Sequence, residues 1–183
     1  DHHGYIPRMQ GALTALGVPA GWLSVEVVQL VKVVRGEEEV KMSKRSGEFV
    51  TLRDLYEEVG VDAARYWFLM RRGDSHLVFD IELAKARTDE NPVFYVQYAH
   101  ARICSVIQQY VDKGGELGAL AGANLALLTA PSEAALMLKL AEFPAVLAGA
   151  AADLAPHDVA FYLRDVAGAF HSYYANERFL VDD

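Results

Sequence analysis

Cysteine is nearly absent: Cys104 is the single one in 183 residues. That excludes an internal disulfide framework and fits a reducing compartment such as the cytoplasm. The chain does not open on a signal peptide, having no basic segment followed by an apolar core and a small-residue cleavage site. No apolar run reads as long enough to span a bilayer, so the sequence predicts a soluble protein without a membrane partner. Positive charge is also short. The 17 lysines and arginines face 25 aspartates and glutamates, a net charge of -8. This excludes a general nucleic-acid coat and gives no reason to expect DNA, but RNA binding through a local basic surface stays open.

What is present is a chain 52% hydrophobic, long enough for one compact domain or two small ones. It opens on Asp1, already inside "DHHGYIPRM", and stops at "RFLVDD" soon after a strong helical pattern. Both ends read as cut, so the expectation is a segment of something longer. Neither an internal repeat nor a low-complexity tract is visible beyond the alanine-rich patch at 148–152.

Residues 1–50 mix elements. Ile6, Met9, Leu13 and Leu16 recur at helical spacing and Gly17 supplies a stop. "SVEVVQLVKVV", 24–34, is β-branched and nearly continuous, which predicts a strand buried on both faces of a parallel sheet. "RGEEEV" is most simply a solvated turn. After Val50 the pattern is almost wholly helical. Thr51 can cap "LRDLYEEVG", with Asp54 in its first turn and Gly60 as its stop, and Asp62 can cap "AARYWFLMRR" and pair with Arg65. Asn91-Pro92 starts a long helix whose predicted seam is Val93, Val96, His100, Ile103, Ile107 and Tyr110, with His100 a hydrogen-bonded core residue. A glycine-rich connection over 113–131 precedes helices at about 132–142, 143–154 and 157–176. The last has a seam of Val159, Leu163, Val166, Phe170 and Tyr173, and together these helices imply an antiparallel bundle.

The chemistry concentrates in "VKMSKRSGEFVT", 40–51, where Lys41 and Lys44 lie three residues apart ahead of Gly47. Two ammonium groups suit polyphosphate oxygens, above all where charge grows on leaving pyrophosphate. Spacing alone equally fits a lysine-rich surface turn, and no glycine run precedes the lysines to make a P-loop. "DHHG" holds potential metal ligands. Adjacent residues rarely face one ion, however, and no partner follows at zinc spacing, so no protein-ligated metal is expected.

"KMSKR" resembles the KMSKS-type signature of class I aminoacyl-tRNA synthetases. "DHHGYIPRM", "VKMSKRSG", "GVDAARYWFLMR", "DSHLVFD" and "NPVFYVQYAHARICS", in this order, closely resemble bacterial arginyl-tRNA synthetases, as does "YLRDVAGAFHSYYA" further on. Coverage is nearly the whole chain, weakest across 113–156. The implied fold is mainly α: the C-terminal end of a Rossmann-like α/β catalytic domain at 1–50 and connecting, stem-contact helices at 51–90. An α-helical bundle anticodon-binding domain follows at 91–183, incomplete at its end. The family's HIGH-type motif and most of its arginine pocket precede the part matched, so the segment is not expected to catalyse alone.

The resemblance implies that Lys44, assisted by Lys41, contacts the ATP phosphates in the activation transition state. It sets Met42 and Ser43 against the nucleotide, and Asp1 and His3 near the ATP ribose and phosphates. Arg45 stands where the common pattern has serine. The implied reaction uses ATP with Mg²⁺ to make arginyl-adenylate from arginine, then charges an arginine tRNA. On the 92–111 helix Tyr95, Tyr98 and Arg102 share a face away from the predicted seam. That face is either a stacking surface for unpaired anticodon bases or a second packing face within the bundle. Arg164 and His171, seven residues apart, are further candidates for RNA phosphate. The other function class left open is a non-catalytic tRNA-binding or interaction module with a vestigial nucleotide loop.

Overall fold

The computed structural model describes residues 2–40 and 50–181. Asp1 and residues 41–49, among them Lys41, Met42, Ser43, Lys44 and Arg45, lie outside the described residues. A 3₁₀ turn, His2–Gly4, leads into α1, Tyr5–Ala15. Gly17 ends it as expected, at φ +79°. The Val18 N–H donates to Leu13 O and the Gly17 N–H to Thr14 O, each at 3.0 Å, so two terminal carbonyls are satisfied. The apolar stripe of α1 is not a packing face here, since none of its residues is buried.

The predicted strand over 24–34 is mostly not one. Residues 22–30 have no regular structure, with Val28 and Leu30 exposed. Only Val31–Arg35 (β1) pairs, because only there do neighbouring strands supply ladder partners. β1 is antiparallel to Glu38–Glu39 (β2) and parallel to Leu77–Asp80 (β3), in the order β2-β1-β3. The expectation of an almost wholly helical chain after Val50 missed β3. Its signal is a four-residue alternation, Leu77 and Phe79 buried and Val78 exposed.

Between β1 and β3 lie α2, Leu52–Val59, and α3, Val61–Leu69. Thr51 caps α2 as read: its hydroxyl accepts from the Asp54 N–H (3.1 Å), and the Asp54 carboxylate accepts from the Thr51 N–H (2.8 Å). The Thr51 hydroxyl, which donates to the Asp54 carboxylate (2.7 Å), and then the Thr51 N–H hold the Asp54 carboxyl below the usual carboxylate range. Gly60, at φ +89°, ends α2 and is itself the N-cap of α3. Asp62 therefore sits inside the first turn and caps nothing, and among the described residues it forms no ion pair with Arg65.

Strand β3 runs into α4, Ile81–Lys85, through Asp80. That carboxylate accepts from the N–H groups of Glu82 (3.0 Å), Leu83 (3.3 Å) and Gly36 (3.1 Å), tying the β1–β2 turn to the helix start. Asn91 begins α5, Pro92–Asp112, as predicted. Its amide is buried; it accepts from Val93 N (3.2 Å) and donates to Ala84 O (3.0 Å) and Ala86 O (2.8 Å), which fixes α5 against the end of α4. The core of this half is Val33, Leu55, Ala63, Trp67, Phe79, Ile81, Ala84 and Val93.

Two 3₁₀ turns, Leu117–Gly122 and Leu125–Leu127, occupy the predicted connection. Beyond it come α6, Pro131–Ala141, α7, Phe143–Ala152, and α8, Pro156–Asn176. Helices α3, α5, α6 and α7 all pack on α8. The stretch Pro131–Ala152 corrects the reading of hydropathy: by length and composition alone it is apolar enough to cross a bilayer. Here it is divided between α6 and α7, both laid on α8.

The predicted α5 seam holds at Val93 and Val96 and fails at His100, Ile103 and Ile107, which are exposed. Ala99, Arg102 and Val106 turn inward instead, so His100 is not a core histidine; it lies beside Cys104 Sγ at 3.7 Å. In α8 Phe170 is buried, Val159, Val166 and Tyr173 half-buried, and Leu163 exposed. The pattern shifts because the buried α5–α8 contact is made by the small residues Ala99 and Ala167 together with Phe170.

Candidate nucleic-acid interface

Four of the predicted RNA-facing residues come together where α5 crosses α8. Arg102 Nη1 donates to His171 Nδ1 at 2.9 Å, which leaves the ring proton on Nε2, donated to Tyr95 O at 3.1 Å. Arg102 Nη2 donates to the Tyr98 hydroxyl at 3.1 Å. The guanidinium carbon lies 4.2 Å from the centre of the Tyr98 ring and 4.9 Å from that of Tyr174. Tyr95 meets the His171 ring edge-on, centroids 4.6 Å apart. Tyr95, Arg102, His171 and Tyr174 are half-buried and Tyr98 is exposed. The face read as lying away from the packing seam is thus the packing seam of α5 on α8, and it reaches the surface through Tyr98.

Sequence reading missed two members, Tyr174 and Phe94. Tyr174 lies three residues past His171 on α8, and Phe94 lies four before Tyr98 on α5, the spacings at which helical side chains meet. Phe94 stacks on Tyr98 with centroids 5.7 Å apart and planes 11° from parallel.

Arg164 does not join this node. It is exposed and lines a cleft of about 530 Å³ with Tyr95, Lys139 and Asp165. Lys139 is bonded there to Glu142 (2.9 Å) and lies 3.8 Å from Asp165; the Glu142 bond raises its pKa. Other tyrosines fasten α8 to its neighbours. Tyr66 donates to Ala160 O (3.1 Å), and burial pushes its pKa up. Tyr173 donates to Glu133 (3.0 Å) and is pushed up to about 12, by burial first and the Glu133 carboxylate second.

On the other side, Arg35 grips Glu58 with two bonds (2.7 and 2.8 Å) and Glu82 with one (2.7 Å), while Lys85 adds a bond to Glu58 (3.1 Å). Arg35 first and Lys85 second pull the Glu58 carboxyl down to about 2. This network is structural, joining β1 to α2 and α4. His3 is exposed at the start of the chain. Among the described residues no three His, Cys, Asp or Glu side chains gather as a metal site.

Residues 96–183, which hold most of this surface, match the family model described as the DALR anticodon binding domain. The whole chain is 59% identical to an arginine–tRNA ligase of Methylibium petroleiphilum and 58% identical to one of Dechloromonas aromatica. It belongs to the arginyl-tRNA synthetase family. The chain covers 33% and 31% of the length of those two relatives and corresponds to a C-terminal part of them. A solved Campylobacter jejuni structure, described provisionally as an arginyl-tRNA synthetase, superposes over 100% of the chain and 39% of its own at TM-score 0.88 and 33% identity. The Thermus thermophilus arginyl-tRNA synthetase matches over 74% of the chain and 21% of its own at TM-score 0.53 and 30% identity. The mainly helical fold agrees with a synthetase anticodon-binding part.

Proposed function

We infer that this chain is a section of an arginine–tRNA ligase that holds the anticodon arm of an arginine tRNA on its helical bundle and supplies one loop to the ATP site. The observation that carries this reading is identity above one half, along the entire chain, to proteins named arginine–tRNA ligase. In this reading 1–50, with β1, are the end of a Rossmann-like catalytic domain, and β3 from the following region pairs with it. Residues 51–90 are connecting helices that meet the tRNA stem, and 91–183 the anticodon-binding bundle. The arginine carboxylate attacks the α-phosphate of ATP, the bond to the β-phosphate breaks, and pyrophosphate leaves; the adenylate then passes arginine to the tRNA ribose. Lys44 and Lys41 neutralise the departing phosphates, Met42, Ser43, Asp1 and His3 line the nucleotide, and Mg²⁺ arrives with the ATP. Such a protein works in the cytoplasm, and the segment alone does not catalyse.

On the bundle, Tyr95, Tyr98, Arg102 and His171 present one polar-aromatic surface of the kind unpaired bases use, with Arg164 beside it for phosphate. Binding of an arginine tRNA transcript to the chain tests this. The expected result is affinity that falls when the anticodon is changed; binding indifferent to the anticodon would overturn it. For the loop, Lys44→Ala in the whole ligase should abolish arginine-dependent ATP–pyrophosphate exchange, and undiminished exchange would remove Lys44 from the mechanism.

A further inference from the structure

The Tyr98 ring already has two partners in its own chain. Phe94 stacks on it nearly parallel, and the Arg102 guanidinium lies over it, followed by Tyr174. A base stacking on Tyr98 would compete with these partners. Phe94 is different: among the described residues Tyr98 is its only ring partner, and no cation lies over it. The ladder Phe94–Tyr98–Arg102–Tyr174 therefore has an open end at Phe94.

That end lines a cleft of about 460 Å³ between the α2–α3 turn, the segment after α4 and the first turns of α5. Gln97, one helical turn on from Phe94, lines the same cleft, and its exposed amide forms no hydrogen bond among the described residues. Arg87 lines it too, exposed and without an ion pair among the described residues. The other charges there are already committed or modest: Glu58 is held by Arg35 and Lys85, Lys85 by Glu58 and Glu82, and Asp62 remains. An aromatic face, an unsatisfied amide and an uncommitted guanidinium are the three parts that recognise one unpaired nucleotide: a platform for the base, a donor–acceptor pair for its edge, a cation for its phosphate.

We propose that the cleft bounded by Arg87, Phe94 and Gln97 takes an unpaired tRNA nucleotide, its base stacked on Phe94, its edge read by Gln97 and its phosphate met by Arg87. The site rests on the tRNA-binding reading above and adds a contact separate from the Tyr95–Tyr98–Arg102–His171 surface. The test is arginine tRNA binding to the chain across a salt series, for wild type, Phe94→Leu, Gln97→Ala and Arg87→Gln, with circular dichroism melts as a check on folding. Phe94→Leu keeps apolar volume against Tyr98 but removes the stacking face, and should weaken binding about tenfold at unchanged salt slope. Arg87→Gln, at an exposed position, should lower the slope of log affinity against log salt by about 1. Gln97→Ala should weaken binding several-fold and flatten any preference among bases at the contacted nucleotide. Anticodon-dependent binding by wild type, with all three folded variants indistinguishable from it, would overturn this site and leave the anticodon reading standing. No binding by wild type would overturn both.

Discussion

Around β1 and β3 the core is built from large side chains, with Phe79 and Ile81 fully buried beside Trp67, and the charged rim is paired within itself through Arg35, Glu58, Glu82 and Lys85. Between α5 and α8 the buried residues are Ala99, Ala167 and Phe170, and the interface is completed by a guanidinium, an imidazole and tyrosine rings that continue to the surface. The charges of the first region are spent on one another; the rings of the second continue to the surface. A binding face has to combine rigidity with polar atoms that a ligand can reach, and an alanine-lined crossing with a hydrogen-bonded aromatic node provides both. The junction, closed in this way, serves as the frame from which α5 projects.

The largest expected effect tests that contrast directly. Phe79→Ala removes a wholly enclosed ring packed at a tilt against Trp67 and Phe68 and should cost about 4–5 kcal/mol in urea unfolding. Phe170→Ala, whose surroundings include half-buried Tyr174 and His171, can relax more and should cost about 3 kcal/mol. Equal losses would mean the two cores are equally close-packed, and the contrast would fail.

A smaller effect, of opposite sign, lies at the α7–α8 corner. Leu154 is the one non-glycine among the described residues at positive φ, +51°. It occupies the position past the α7 C-cap where glycine is favoured, with the Ala155 N–H closing back on Ala150 O at 2.8 Å. Its side chain is exposed, so little packing offsets the strain. Leu154→Gly relieves that strain, of order 1–2 kcal/mol, against a glycine entropy loss of about 0.4–1 kcal/mol, and should raise stability by about 0.5–1 kcal/mol. A lower melting temperature would show that the bundle draws support from this leucine after all.

Local signals were legible where one residue decides the structure. Thr51 with Asp54, Asn91 with Pro92, and Gly17 and Gly60 as stops all stand where short-range chemistry put them. Signals that depend on tertiary neighbours were misread. The run at 24–34 has strand composition, but only its last residues have a strand beside them; β3 is too short to announce itself; the α5 seam falls on the largest apolar residues in the pattern, although it is Ala99 and Arg102 that face α8. The same error hid the character of the site. On α5 alone Tyr95, Tyr98 and Arg102 read as one face, for stacking or for a second packing contact, with His171 set apart beside Arg164 on α8; the structure brings His171 to the three and leaves Arg164 out. Arg102 sits inside the packing because His171, Tyr98 and Tyr174 satisfy its donors and cover its plane, which no single-helix pattern reveals.

The smallest effect concerns the paired rim of the junction and its pH dependence. Glu58 is held at about 2 against an ordinary 4.5, chiefly by Arg35 and then by Lys85. A depressed carboxyl contributes stability that is complete above its unfolded value and is lost as pH falls toward the folded one. The contribution should therefore be constant at neutral pH, begin to fade below about 4.5 and be nearly gone at about 2. Solvent reaches the pair, so the amount is modest. Glu58→Gln removes the titration while keeping the size of the side chain. Its melting temperature should lie a little below that of the wild type at pH 7, and the gap should narrow as pH drops from 4.5 toward 2. High salt at pH 7 should narrow it as well. A gap that stays constant across that acid range would mean Glu58 matters there by shape alone. The rim of the junction would then differ from the surface of the bundle in packing, not in charge.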